Sequence, residues 1–412
     1  MNLRTLHLSY NGLRQIEPEA FKGLTKLTDM CLDHNLLILN NICGKVFKNV
    51  KAIHYLRLDS NLHTTVTGIY GEIVKNLPEI YRLELDVVKD YEFEIEFTHL
   101  KNLSELKIHT KSYDGFYYQK RTFRQLPLTQ ITSLSLGGIN NIDNDTFSNL
   151  TNINSLEISM GSNYHQETII RTFQSLDAFR DTNMTELDID SNWYETSFIL
   201  DGNMLQYVQR ICLQRFKLRK MYITDIDLTA FRTFAKYSTC LESLEISNNI
   251  IYDPNILLLF EINYFRNLTY YGYFDNNQRV GYIKDKTPYV KYDVNNTNMN
   301  TLLRFVANIT LPNTLTTLFL KDSVYITDFH GLSFVGGQNL QKLTFLLRLN
   351  GCSFQIAGVE HLKYLDMTGW YCNKVSGHLL SKLPLLETLI ASDVHLGDGL
   401  KNNSEAAFFS TK

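Results

Sequence analysis

The stretch Leu3 to Lys26 constrains this chain more than any other. It reads Leu3-x-x-Leu6-x-Leu8-x-x-Asn11-x-Leu13-x-x-Ile16, then Ala20-Phe21 and Leu24, and the same frame opens again at Leu27, 24 residues on. Leu6 and Leu8 alternate with Thr5, His7 and Ser9, the pattern of a short strand with one buried face. Asn11 ends the strand. Its side-chain amide can bond backbone groups of the turn and of the next copy that would otherwise be buried without partners. Leu13, Ile16, Phe21 and Leu24 bring the return segment back over the same core. A unit this small cannot bury its apolar set alone, so copies must stack, with strands parallel and roughly 4.8 Å apart.

Successive strands can be counted from their first apolar residue: Leu3, Leu27, Ile53, Ile80, Leu103, Ile131, Ile153, Met184, Leu218, Leu241, Leu268, a degenerate copy at Tyr289, then Leu315, Leu340, Leu362 and Leu386. That is about sixteen copies at a mean spacing near 25 residues, the range of leucine-rich repeats. The expected fold is therefore α/β: a curved leucine-rich-repeat solenoid with a parallel sheet on its concave face and irregular or short helical returns outside. Residues 1–412 read as a single array. The gap from Met184 to Leu218 leaves room for an insertion at 196–217, a helix or a partial repeat through Val208, Ile211 and Leu213. Near the end, Leu340 keeps the spacing regular, while Leu347-x-Leu349-x-x-Cys352-x-Phe354 fits the motif better; both frames stay open. The Asn position is held by Asn11, Asn35, Asn61, Asn192, Asn249 and Asn276. Val88, Lys111, Ile139 and Gly161 replace it in the middle, so the central turns need other partners and should be less regular.

The net charge of −3 argues against a broad electrostatic nucleic-acid binder. No apolar run approaches the ~18 residues of a membrane span. Met1 is followed at once by a repeat, with no signal-peptide pattern. Ala406-Ala407-Phe408-Phe409 looks like the return half of one more copy. The expectation is an array lacking both terminal caps, a piece of something longer. No phosphate loop, His-Glu-x-x-His, Cys-x-x-Cys or Gly-x-Ser-x-Gly motif occurs, so neither an enzyme nor a resident cofactor is expected.

The 24-residue unit with Phe21 near its end, the recurrence of Phe47, Phe97, Phe147, Phe179, Phe234 and Phe265, the uneven spacings and the eroded Asn positions resemble a Toll-like receptor ectodomain. That resemblance implies a horseshoe that recognises a microbial or endogenous ligand and signals by pairing with another receptor chain, as a homodimer or heterodimer. It would lie on the extracellular side of the plasma membrane or in the endosomal lumen, tied to the membrane only by flanking segments. The competing class is a leucine-rich scaffold for protein–protein interaction with no receptor role.

Equivalent positions of neighbouring strands should form columns. Between the two inner apolar positions the column reads His7, Cys31, Arg57, Glu84, Lys107, Ser135, Glu157, Asp188, Tyr222 and Glu245. Arg57, Glu84 and Lys107 alternate in sign, either as a solvated ion-pair ladder or as a charged recognition patch. Glu157 and Asp188, with Asp190, Glu186, Glu242 and Glu245, form an acidic region suited to a basic partner. Two positions further along the strand, Asp33, Asp59 and Asp86 align, and clustered carboxylates can hold calcium. Small polar residues are common at this place, however, as with Ser9 and Ser247, and no metal is assigned. Arg210, Arg215, Lys217, Arg219 and Lys220 form a basic run, either the polar face of a helix or a phosphate contact. Six cysteines allow the near-neighbour pairs Cys31 with Cys43, Cys212 with Cys240, and Cys352 with Cys372 in an oxidising compartment. Sequons for N-linked sugar occur at Asn102, Asn144, Asn149, Asn183, Asn267, Asn295, Asn308 and Asn402, few of them among the columns.

Overall fold

The leucine frame folds as its period requires. In a computed structural model, Leu27, Ile53, Leu56, Leu58, Leu83, Leu103 and Ile131 are all fully buried, each on the inner side of a short strand or at its entry. The structure describes residues 2–38, 44–61, 69–88, 91–110, 115–191, 196–251, 261–276, 305–326, 329–349, 356–368 and 382–391. The chain forms two compact units, residues 1–197 with 203–217, and residues 198–202 with 218–412.

In the first unit the strands are β1 (Thr5–His7), β2 (Asp29–Cys31), β3 (Tyr55–Arg57), β4 (Arg82–Val87), β5 (Glu105–Thr110), β6 (Phe116–Tyr118), β7 (Ser133–Ile142), β8 (Ser155–Met160) and β9 (Asn183–Ser191). They pair in parallel in chain order, with β6 set aside on the far end of β7. The returns between these strands carry 3-10 turns and, among the described residues, the helices α1 (Ile69–Val74) and α2 (Gln166–Ser175). Ile169, Phe173 and Leu176 follow helical spacing and are buried, which fixes the inner face of α2. The recurring phenylalanines line the returns: Phe47, Phe97, Phe147 and Phe179 are fully buried, and the rings of the last two lie 5.5 Å apart.

The Asn ladder works as its chemistry suggests. Asn35 Oδ1 accepts from Asn11 N at 3.0 Å and Leu13 N at 3.1 Å, while its Nδ2 donates to the carbonyl of Leu8 at 2.8 Å. Asn61 repeats this one copy later. The residue before each of these asparagines sits in the left-handed region: Tyr10 at φ 60°, His34 at 52° and Ser60 at 59°. Where the asparagine is lost the turn is solved differently. β1 to β3 are three residues long, but β4, β5 and β8 have six and β7 ten. The added residues find backbone partners, as in Asp86 opposite His109 and Val87 opposite Thr110, so ladder rungs replace the missing amide. Asn192 and Lys111 lie outside the described residues.

The region 196–217 is a regular repeat rather than an insertion. β10 (Ser197–Leu200) and α3 (Gly202–Val208) form a return, and β11 (Cys212–Arg219) is the next strand of the main series. Its frame is Leu213-x-x-Phe216-x-Leu218-x-x-Met221, with Leu213, Phe216, Leu218 and Met221 buried. Lys220 has the left-handed φ of 54° and Met221 N donates to Asn249 Oδ1 at 2.8 Å, so Met221 occupies an Asn position. The start expected at Leu218 was five residues late because Met221 and Ile223 mimic the leucine pair.

In the second unit, β13 (Ser243–Ser247), β15 (Tyr270–Asn276), β17 (Thr317–Ile326), β19 (Lys342–Leu349), β21 (Tyr364–Asp366) and β22 (Thr388–Ile390) pair in parallel in that order. β15 pairs directly with β17 in this series, and Tyr289, where the degenerate copy was expected to start, lies outside the described residues. Lys342 opposite Tyr364 selects the Leu340 frame over Leu347. The returns here are largely strands, not helices: β12 (Tyr222–Ile226) pairs with β14 (Ile250–Ile251), and β16 (Phe305–Thr310), β18 (Phe329–Val335) and β20 (Ile356–Ala357) form a sheet of their own. Among the described residues the helical return is α4 (Leu228–Tyr237), capped by Asp227 accepting from Thr229 N and Ala230 N. Phe231 and Phe234 of α4 pack edge-on against Phe265.

Candidate functional site

The parallel register of the first unit assembles the charged column from residues far apart in sequence. His7 stands opposite Cys31, Cys31 opposite Arg57, Arg57 opposite Glu84, Glu84 opposite Lys107, Lys107 opposite Ser135, Ser135 opposite Glu157, and Glu157 opposite Asp188. Parallel pairing puts these side chains on one face, since their inward neighbours are the buried leucines.

Arg57 is the hub of the column. Its Nε lies 2.7 Å from Asp59 and 3.3 Å from Glu84, and its Nη1 lies 3.5 Å from Asp33. Arg82 Nη2 reaches Glu84 at 2.8 Å and its guanidinium stacks over Tyr55, 4.7 Å from the ring centre. Tyr55 donates to Glu84 at 2.9 Å. Burial pushes the Glu84 carboxyl up, but the His109 ring, Arg82, Tyr55 and the Arg57 charge outweigh it and bring its pKa down to about 2. Asp33 is lowered in the same way: burial opposes, while Ser9, His34 and Arg57 prevail. The charge alternation is therefore a network of buried carboxylates behind half-exposed guanidiniums, not a string of isolated surface pairs.

The Asp33, Asp59 and Asp86 column forms, with each residue 1% exposed. Asp33–His34–Asp59 and Asp59–Glu84–His109 bring ligand-type atoms within 4.8 Å of one another. The Arg57 guanidinium already supplies the cation there. Ser9 donates to Asp33, and Ser60 N donates to Asp86. His34 is held between Asp33, 2.9 Å from its Nδ1, and the stacked ring of Tyr10.

Further along the column, Lys107 Nζ lies 3.4 Å from Glu157, which also accepts from Ser135 at 2.7 Å. Asp190 accepts from Ser159. The acidic region is less acidic than its sequence suggests. Glu186 is bridged by Arg215 at 3.2 Å and by Lys217, both on β11. Burial opposes ionisation of Glu186, and these two cations more than compensate, so its pKa falls. Tyr222 is not in the column, because it belongs to β12 and the return sheet. Lys217, between buried Phe216 and Leu218, takes the column position instead. Of the basic run, Arg215, Lys217 and Arg219 are thus on strand β11 rather than on a helix, with Lys220 just after it, and Arg210, in the turn before it, is paired with Asp177 at 3.4 Å. Glu245 lies in the second unit, on β13 opposite Gly272, and accepts from Ser247.

Cys31 is a free, buried thiol on β2, so the bridge expected from it to Cys43 does not form; burial raises its pKa. Cys212 and Cys240 are both disulfide-bonded. Cys43, Cys352 and Cys372 lie outside the described residues, as do Asn295 and Asn402. Asn102, Asn144, Asn149, Asn183 and Asn267 are exposed and off the column, and Asn308 lies on β16. Among the described residues no helix is long and apolar enough to cross a membrane.

The chain is similar to known proteins over part or all of its length. The leucine rich repeat family model matches residues 1–62. Lumican of Homo sapiens is 25% identical over 234 residues, 53% of this chain and 67% of that protein. Podocan of Mus musculus is 29% identical over 109 residues, 26% of this chain and 17% of that protein. Among solved structures, a leucine-rich-repeat protein of Leptospira interrogans aligns over 100% of this chain and 95% of its own at 14% identity, with a TM-score of 0.45. TLR13 in its complex with ssRNA13 aligns over 96% and 77% at 14% identity, with a TM-score of 0.41. With its repeat frame, its Asn ladder and its parallel strand series, the chain has a leucine-rich-repeat fold, and its first 62 residues match the family model.

Proposed function

We propose that this chain is an extracellular recognition scaffold that binds a protein partner through the sheet face of its first unit. The carrying observation is the column from His7 to Asp188, where Arg57 and Lys107, with Arg82 beside them on β4, are held in fixed orientations by neighbouring carboxylates. Pre-organised arginine and tyrosine side chains lose little freedom on binding, which is how a few residues come to dominate an interface. The disulfide-bonded Cys212 and Cys240 support an oxidising, extracellular setting. The similarity to lumican and podocan favours a scaffold over a receptor.

A Toll-like receptor ectodomain, pairing with a second receptor chain around a microbial or endogenous ligand, is the second reading. The uneven repeats and the eroded Asn ladder of the first unit support it. Recovering the flanking transcript separates the two: a membrane helix followed by a signalling domain favours the receptor, and its absence from the complete transcript favours the scaffold. The contact surface is tested by immobilising the chain, passing conditioned medium from animal cells over it, and comparing wild type with Lys107→Glu and Glu157→Lys. Proteins retained by wild type should drop at least tenfold in both variants. Equal retention overturns the assignment of this face.

A further inference from the structure

Three of the exposed sequons share one place in the repeat. Asn102, Asn183 and Asn267 each stand immediately before the buried apolar residue that leads a strand: Leu103, Met184 and Leu268. In each, the sequon's Ser or Thr supplies the first rung to the preceding repeat. Ser104 N and Glu105 N both donate to Tyr81 O, Thr185 N and Glu186 N to Asn154 O, and Thr269 N and Tyr270 N to Glu242 O. These asparagines therefore occupy the same corner, where the return segment turns into the strand.

The corner amides also have a common habit. Asn102 Nδ2 donates to Glu79 Oε2 at 3.1 Å and Asn267 Nδ2 to Thr239 O at 2.6 Å, both in the preceding repeat. Asn152, at the same corner but outside any sequon, donates to Thr129 O at 2.7 Å. An amide nitrogen has two hydrogens, and each of these bonds uses one. The second can be replaced by a sugar without costing the repeat its contact.

We propose that Asn102, Asn183 and Asn267 carry N-linked oligosaccharides, and that in the first unit these fence the N-terminal rim of the sheet while leaving the charged column bare. In the modifying step the amide nitrogen forms a bond to the anomeric carbon of a lipid-diphosphate-linked oligosaccharide. The carbon–oxygen bond to the lipid diphosphate breaks, the diphosphate leaves with the electron pair, and the nitrogen gives up one proton. Asn102 leads β5 and Asn183 leads β9, three ladder steps away through β7 and β8, or about 14 Å at strand spacing. Sugars at both ends of that interval shield the rim beside Lys107, Ser135, Glu157 and Asp188. A protein partner must then come from the opposite end of the strands, where Tyr10, His34 and Ser60 form the turn row. This deepens, and rests on, the recognition surface proposed above.

The test is to express the full chain behind a secretion leader in animal cells and map every sequon by glycopeptide mass spectrometry, pooling medium and lysate. Asn102, Asn183 and Asn267 should each be occupied. Asn102→Gln, Asn183→Gln and Asn267→Gln should each remove one glycosidase-sensitive mass step. Unmodified asparagines at the corners, whether or not Asn144 and Asn149 are occupied, overturn the inference. Because the leader forces entry into the secretory pathway, that result leaves the recognition surface untouched; the retention assay with Lys107→Glu tests it separately.

Discussion

Replacing Asn61 with alanine should cost far more than the same change at Asn11, although the two residues hold the same place in the motif. Asn61 is fully buried. Its Oδ1 accepts from Leu37 N at 3.3 Å, and its Nδ2 donates to Leu32 O at 2.9 Å and Leu58 O at 2.8 Å. Alanine leaves one buried N–H and two buried carbonyls without these partners, at ~1–3 kcal/mol for each group stranded away from water. The carbonyls keep a second lone pair, so the lower part of that range applies and the total is about 3–5 kcal/mol. Asn11 is exposed and makes one local bond, to Ser9 O at 3.0 Å. Water can replace that bond, and Asn11→Ala should cost about 0.5 kcal/mol. Urea unfolding gives the total. Hydrogen exchange should show where it falls, with protection lost in residues 32–38 and 58–61 and kept beyond the neighbouring repeats, since a solenoid passes stability only to its neighbours. A loss below about 1 kcal/mol for Asn61→Ala, or equal losses at both sites, would refute the view that the ladder acts by satisfying buried backbone.

Three further expectations can be checked in the same preparations. The double reversal Lys107→Glu with Glu157→Lys should leave the melting temperature within a degree or two, because both side chains are more than a third exposed and such pairs contribute ~0–1 kcal/mol. Glu84 ionises in the folded chain near pH 2 rather than at its ordinary 4.5, so its stabilising share is complete above about 4.5 and fades as pH falls toward 2; in Glu84→Gln, acid titration of unfolding should be flatter over that window, and an unchanged slope would count against the network. Gly358 has φ +80° and an added Cβ would sit 1.7 Å from the carbonyl oxygen of Phe334, a backbone atom that cannot swing away; Gly358→Ala should destabilise the second unit by at least ~2 kcal/mol in thermal unfolding, the combined cost of left-handed strain and the clash.

The column from His7 to Asp188 could be read from sequence alone because it needs only period-two alternation and a strict leucine pair. Those two facts fix which side chains are neighbours, although not how they pair. That Arg57 reaches Asp33, Asp59 and Glu84 together depends on side-chain length and rotamer, which no spacing encodes. The frame was lost at β11 because Phe216 stands where leucine usually does, and Leu218, Met221 and Ile223 offer a competing match five residues on. The left-handed turn at Lys220 decides between them, and nothing in a lysine announces it. The strand returns of the second unit were missed for a related reason. Short stretches with alternating apolar residues, such as Ile309-Thr310-Leu311, suit a strand and an irregular return equally well. At Cys31, nearness in sequence to Cys43 suggested a bond, whereas the strand register places its thiol between His7 and Arg57.

The two ways of closing a turn, by an asparagine amide or by longer strands, behave like two phases of one lattice. A longer strand gains its extra rungs only if its neighbour is equally long, so the choice is made by blocks rather than by single repeats. The boundary between blocks lies at β3 and β4, and one residue builds the wall. Tyr10 N and His34 N donate to the backbone carbonyls of Asp33 and Asp59, but Ser60 N donates to the Asp86 carboxylate, while the Asp86 carbonyl accepts from the Tyr70 hydroxyl. Asp86 thus faces a short-strand repeat with its side chain and a long-strand repeat with its backbone. Exchanging whole repeats within a block should therefore be tolerated far better than moving one across Asp86.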